Sequence, residues 1–232
     1  MDKKSVSIGH QRGVLVEADL VMLAGTELFF QSCMARLEKE GVKLDRSLFL
    51  RFLFGKSLVR GMTALLEKLG KSADAAAGLA AECMEAYLAA LPNASGKAHD
   101  SVVAFIKDAA ERGVKVGLMT QLPEAVAKEV FADVLGSLHV TVLAEPAHHA
   151  LVHGWEGWRR AARKLQVGER LCVALASPAS SRGALAAAMR LVVVQDPVQD
   201  HFDCGGADMV VETLTPAIRT ATLRLLKIEE GR

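Results

Sequence analysis

Gly13-Val14-Leu15-Val16-Glu17-Ala18-Asp19-Leu20 is the stretch on which the fold turns. Val14 to Val16 is a short aliphatic run that opens just after a glycine and stops abruptly at two carboxylates one residue apart. An apolar run that does not alternate predicts a strand covered on both faces, as in a parallel sheet. Open α/β sheets place their ligand sites at the C-terminal ends of such strands, so Glu17 and Asp19 become the first candidate site residues.

Downstream of this strand the period changes. From about 26 to 91, Leu28, Cys33 and Leu37, then Phe49, Phe52 and Leu53, then Leu65, Leu66 and Leu69, then Leu79, Cys83 and Tyr87 follow helical spacing. Breaks fall near Gly41, Gly55, Gly70 and Pro92, which predicts an all-helical insert of four or five helices. Beyond Pro92 strands and helices alternate again. The pattern predicts helix His99–Arg112, strand Lys115–Met119, a helix through about Val134 and strand His139–Leu143. Helix Trp155–Leu165, strand Arg170–Leu175, helix Ser181–Met189, strand Leu191–Gln195, a short strand Met209–Glu212 and helix Pro216–Ile228 complete it. Repeated βα units of this length imply an α/β fold, a Rossmann-like doubly wound and mostly parallel sheet. The expected domains are a core of residues 1–25 and 92–232 and a helical cap of residues 26–91.

Composition narrows the function. The 232 residues are 51% hydrophobic and 24% charged, with a formal charge of +1, so no electrostatic field draws in nucleic acid or an anionic membrane. Glu17 and Asp19 interrupt the only apolar run near the start, which argues against a signal peptide or a membrane span. Four widely spaced cysteines without a CxxC pair fit buried thiols in a reducing cytoplasm.

One strand, a helical insert and then four or more βα units resembles the layout of the capped haloacid-dehalogenase (HAD) hydrolases, in their helical-cap phosphatase and phosphoglucomutase-like branch. Gly13 to Leu20 stands where that family has its first strand and DxD turn. Leu118-Met119-Thr120-Gln121 is similar to its second motif. Ala161 to Val167, Cys172 to Leu175, Ser177-Pro178 and Arg182 to Met189 are similar to its later helix–strand–helix passage. The resemblance implies a Mg2+-dependent attack by the first Asp on a small phosphorylated metabolite, with the second Asp as general acid and base.

At the positions that carry this chemistry the chain departs from the family. Glu17 replaces the nucleophile, and its extra methylene displaces the carboxylate where a misplacement of about 1 Å costs on the order of a hundredfold. Asp19 keeps the acid–base position, although it could equally hold the turn. Thr120 fits the phosphoryl-binding hydroxyl, and Gln121 and the cap residue Lys56 are the candidate substrate contacts. The loop Glu145–Gly154 lacks the expected lysine and carries His148, His149 and His153, read as exposed loop histidines with metal binding as the alternative. Leu175-Ala176-Ser177 lacks the acid that completes a Mg2+ site, and Asp196 sits one strand away, about 4.8 Å off. Glu17 and Asp19 are the remaining candidate metal ligands, and Mg2+ is not expected to bind. The chain therefore reads as an inactive or severely impaired homologue that binds a metabolite or a protein partner. The alternative is an active hydrolase of a small phosphorylated metabolite using unconventional residues.

Overall fold

The structure, a computed structural model, describes residues 11–94, 99–132, 136, 140–144 and 151–226. Six strands form one sheet: β1 (Gly13–Glu17), β2 (Lys115–Thr120), β3 (Val140–Ala144), β4 (Cys172–Ala176), β5 (Arg190–Val194) and β6 (Met209–Val211). Their order is β3-β2-β1-β4-β5-β6 and every pairing is parallel. The strand Val14–Val16 is thus central, between the strands that end at Thr120 and Ala176. Parallel pairing places the C-terminal ends of β1, β2 and β4 side by side, with Glu17 opposite Met119 and Val16 opposite Leu175.

The helices are α1 (Gly25–Glu38), α2 (Leu58–Lys68), α3 (Ala76–Ala94), α4 (Asp100–Glu111), α5 (Glu124–Val130), α6 (Trp155–Lys164), α7 (Ser181–Ala186) and α8 (Pro216–Leu225). Both sheet faces are covered, which explains the unbroken apolar strands. Val14 and Val16 belong to one core with Phe105, Ile106 and Leu223, and Leu15 to a second with Trp158, Ala161 and Ala184. The first core continues into the helices between β1 and β2, where Phe29 packs edge-on against Phe49 and Tyr87. Gly41, Gly55 and Gly70 each adopt positive φ, so the anticipated helix breaks fall where only glycine is unstrained.

The differences from the sequence reading lie mostly at element ends. Pro92 does not end its helix: α3 runs to Ala94, because a proline near a C-terminus removes one hydrogen bond without blocking the turn above it. Arg170 lies in a single 3-10 turn, and β4 starts at Cys172. α7 stops at Ala186, and Ala188 takes a left-handed conformation before β5. Val134, His139 and residues 227–228 lie outside the described residues. All four cysteines are free, three of them buried. Among the described residues no helix is long and apolar enough to cross a membrane.

Candidate functional site

β1 delivers Glu17 at its last position, and a single wide π turn, Ala18–Met22, carries Asp19 over the sheet edge. That turn is buried throughout, and both carboxylates are 0% exposed. Charge in such a place must be matched locally, and here the matching comes from neutral donors. Glu17 Oε2 accepts from the Ser177 N–H at 2.7 Å, and Oε1 accepts from the Ser180 hydroxyl. Asp19 Oδ1 accepts from Thr120 Oγ1 at 2.6 Å and Oδ2 from the Gln121 N–H at 2.7 Å. Each of the four carboxylate oxygens therefore has a protein partner.

No lysine or arginine among the described residues pairs with either acid, and burial dominates their electrostatics. Desolvation pushes Glu17 up to about 8; the Ser180 and Ser177 hydrogen bonds pull the other way, and the Asp19 charge adds to the rise. Desolvation likewise raises Asp19 to about 6, against the Thr120 and Gln121 hydrogen bonds. A group at about 8 is mostly protonated at neutral pH, and a neutral carboxylic acid neither attacks phosphorus nor coordinates a hard cation well.

The surrounding groups close the site. Thr120 Oγ1 also accepts from the Leu122 N–H at 3.0 Å, which fixes its hydroxyl toward Asp19. The Gln121 carboxamide accepts from the Leu151 N–H at 2.9 Å and donates to the Val152 carbonyl at 2.7 Å, so it clamps that loop over the sheet edge. Ser180 Oγ accepts from the His153 N–H at 3.0 Å while donating to Glu17. Against the expectation of an exposed histidine, His153 is only 5% exposed. Its ring packs edge-on to Trp158, and Nε2 stands 3.9 Å from Asp19 Oδ2 without a hydrogen bond. Burial lowers His153 to about 4, so at neutral pH it supplies no positive charge to replace the missing lysine. His148 and His149 lie outside the described residues.

Other sequence candidates point elsewhere. Lys56 is exposed and its ammonium donates to the Arg51 carbonyl, at the end of its own helical segment. Among the described residues it forms no hydrogen bond or ion pair with Glu17, Asp19, Thr120 or Gln121. Asp196 turns its oxygens to the Val198 N–H at 2.8 Å and to Gln199 Nε2 at 3.0 Å. The turn at Gly55 rests directly on the Gln121-clamped loop: a Cβ on Gly55 would lie 3.2 Å from Val152 Cγ2.

No family model matches the sequence, and no curated protein matches it. Solved structures do. CbbY from Rhodobacter sphaeroides in complex with phosphate is 17% identical, with a TM-score of 0.69 over 88% of this chain and 95% of its own. The β-phosphoglucomutase of Clostridium difficile is 16% identical, with a TM-score of 0.71 over 94% and 97%. A HAD hydrolase, family IA, variant 3, from Entamoeba histolytica is 15% identical, with a TM-score of 0.71 over 94% and 100%. The fold is HAD-like.

Within a HAD-like frame, Glu17, Asp19 and Thr120 meet at the C-terminal sheet edge, as their strand ends require. Ser180 is the participant that the sequence did not single out, and Ser177 and His153 take part in ways other than the sequence suggested. Ser180 is the joint of the arrangement, because its oxygen serves Glu17 and the His153 loop at once. Ser180→Ala leaves a buried carboxyl oxygen and a buried N–H without partners, and is expected to destabilise the fold by about 2–3 kcal/mol. Urea unfolding at pH 7 measures this; a midpoint equal to wild type would show that the Ser180 bonds carry no net stability.

Proposed function

We propose that this HAD-like protein has lost phosphoryl transfer and acts by binding a ligand or a protein partner. The observation that carries the reading is the internal satisfaction of Glu17 and Asp19: both are wholly buried, and every carboxyl oxygen already has a hydrogen-bond partner in the protein. A nucleophile must present an ionised oxygen to substrate, and a general acid must reach the leaving group. Glu17, raised to about 8 and shielded by Ser177 and Ser180, meets neither need.

The donor set does not fit Mg2+ either. The ion requires near-octahedral oxygen ligands at close range, with carboxylates among them. Ala176 and Ser177 offer no acid after β4, Asp196 is held in its own turn, and no three His, Cys, Asp or Glu groups among the described residues gather as a metal site. A phosphorylated ligand, such as the phosphate found with CbbY, would meet buried acids here with no lysine or arginine paired to them among the described residues.

The test is turnover. With Mg2+ present, wild type and Glu17→Asp should both hydrolyse p-nitrophenyl phosphate and small sugar phosphates at the background rate. Restoring activity should need at least Glu17→Asp with Ala176→Asp, since a nucleophile without the metal faces an unscreened phosphate dianion. Clear wild-type turnover that Asp19→Asn abolishes would establish the active-hydrolase reading instead.

A further inference from the structure

A cavity of about 610 Å3 opens at the same sheet edge, toward β5 and β6, and Glu17, Asp19 and Thr120 do not line it. Its volume is that of a small-molecule site. Buried Leu20, Val21, Pro178 and Val194 form an apolar floor, and half-buried Phe202 stands beside them. The exposed rim carries Asp200 and Glu212 with His99 and Gln195, and no lysine or arginine lines the cavity among the described residues.

The cavity is held open by the fold. Gln199, fully buried, accepts from the Ala179 N–H at 2.9 Å and donates to Thr26 Oγ1 at 2.7 Å. The loop after β5 is thereby pinned both to the loop after β4 and to the start of α1. A preformed apolar hollow binds without the entropic penalty of ordering its walls. The polar groups then decide what enters. Asp196 is engaged by Val198 and Gln199, while Asp200 has only His201 at 3.8 Å, and Glu212 has no hydrogen-bond or ion-pair partner among the described residues. Two available carboxylates on the same rim as an aromatic ring, with no lysine or arginine among the described lining residues, select positive charge: the acids attract it through space and the ring through its quadrupole.

We infer that this cavity binds a small organic cation, an ammonium group carried on an apolar aromatic or alkyl body. The apolar body fills the floor between Leu20 and Val194, and the ammonium lies at the rim between Phe202, Asp200 and Glu212. An anionic or phosphorylated ligand is disfavoured by the same rim. The inference gives a ligand class to the binding role proposed above.

The test uses the full chain and three probes of one shape: phenethylamine, phenethyl alcohol and phenylacetate. Amide resonances are followed by NMR at low and at high salt. Phenethylamine should saturate at millimolar concentration, shift the Val194, Phe202 and Glu212 amides, and bind about tenfold more tightly than the alcohol, less so at high salt. Asp200→Asn with Glu212→Gln should weaken the amine about tenfold and leave the alcohol unchanged. Both residues are exposed, so the melting temperature of the double variant should match wild type. The inference is overturned if the amine does not saturate, if alcohol or phenylacetate binds as tightly, or if the double variant binds the amine as wild type does. Phosphatase turnover, by contrast, would remove the non-catalytic reading and leave these binding results standing.

Discussion

At pH 9, Glu17→Gln is expected to melt roughly 5–10 °C above wild type, and at pH 5 the two should melt together. The native Glu17 carboxyl is raised to about 8 from an ordinary value of 4.5, so between these values the folded protein holds a proton that the unfolded chain has released. Its favourable contribution is complete below about 4.5 and is lost as pH rises through about 8, on the order of a few kcal/mol in all. Glutamine has the same shape, accepts from the Ser177 N–H and never ionises, so it removes this slope. Two other groups act at lower pH and oppose each other. Asp19, raised to about 6, loses stability as pH rises from 3.8, whereas His153, lowered to about 4, loses stability as pH falls from 6.5. Between pH 6.5 and about 8, below the ordinary range of the thiols, the slope therefore belongs to Glu17. Melting curves of both proteins from pH 5 to 9 decide it; parallel curves would mean that Glu17 is ionised throughout.

Gly25→Ala should do the greatest damage of any single methyl added to the chain near this site. A Cβ at Gly25 would lie 1.9 Å from the Asp19 carbonyl oxygen and 2.9 Å from its carbon, both backbone atoms without a rotamer to escape into. Relief requires moving the Ala18–Met22 turn, and with it the Asp19 hydrogen bonds to Thr120 and Gln121. The expected loss is about 3 kcal/mol or more, which corresponds to a melting point lower by roughly 10 °C or to failure to fold. Gly78→Ala, inside α3 with nothing within 4 Å of the new methyl, should instead gain up to about 1 kcal/mol. Circular dichroism on the two variants separates a specific clash from a general intolerance of alanine; a Gly25→Ala protein with the wild-type midpoint would refute the close approach.

The parallel sheet and the placing of Glu17, Asp19 and Thr120 on one edge were legible because they depend on where aliphatic strands end. An aliphatic run fixes where a parallel strand stops, and right-handed crossovers bring those stops to one edge. The helices between β1 and β2 were legible from their apolar period of 3.6 residues. His153 was not, because a loop with three histidines reads as exposed and only the arrival of Trp158 on α6 and of Ser180 from α7's approach buries it. Nor was Ser180: a serine four residues past the end of a strand has many ordinary uses, and only the register of β1 against β4 brings it to Glu17. Lys56 misled in the opposite way, since a lysine beside three phenylalanines reads as a pocket residue, yet its flexible stem reaches the carbonyl of Arg51. The replacement of Asp by Glu at position 17 was visible; its hydrogen-bonded burial by Ser177 and Ser180 is a property of folded geometry alone.

If Glu17 is a buried acid whose partners are the protein's own, its titration will show it. In protein with 13C-labelled glutamate side chains, with Glu17→Gln used to assign the resonance, the Glu17 carboxyl should titrate with a midpoint near 8 and be indifferent to added Mg2+. A midpoint in the ordinary range near 4.5, together with a shift on adding Mg2+, would contradict the account and return Glu17 to the place of a working ligand.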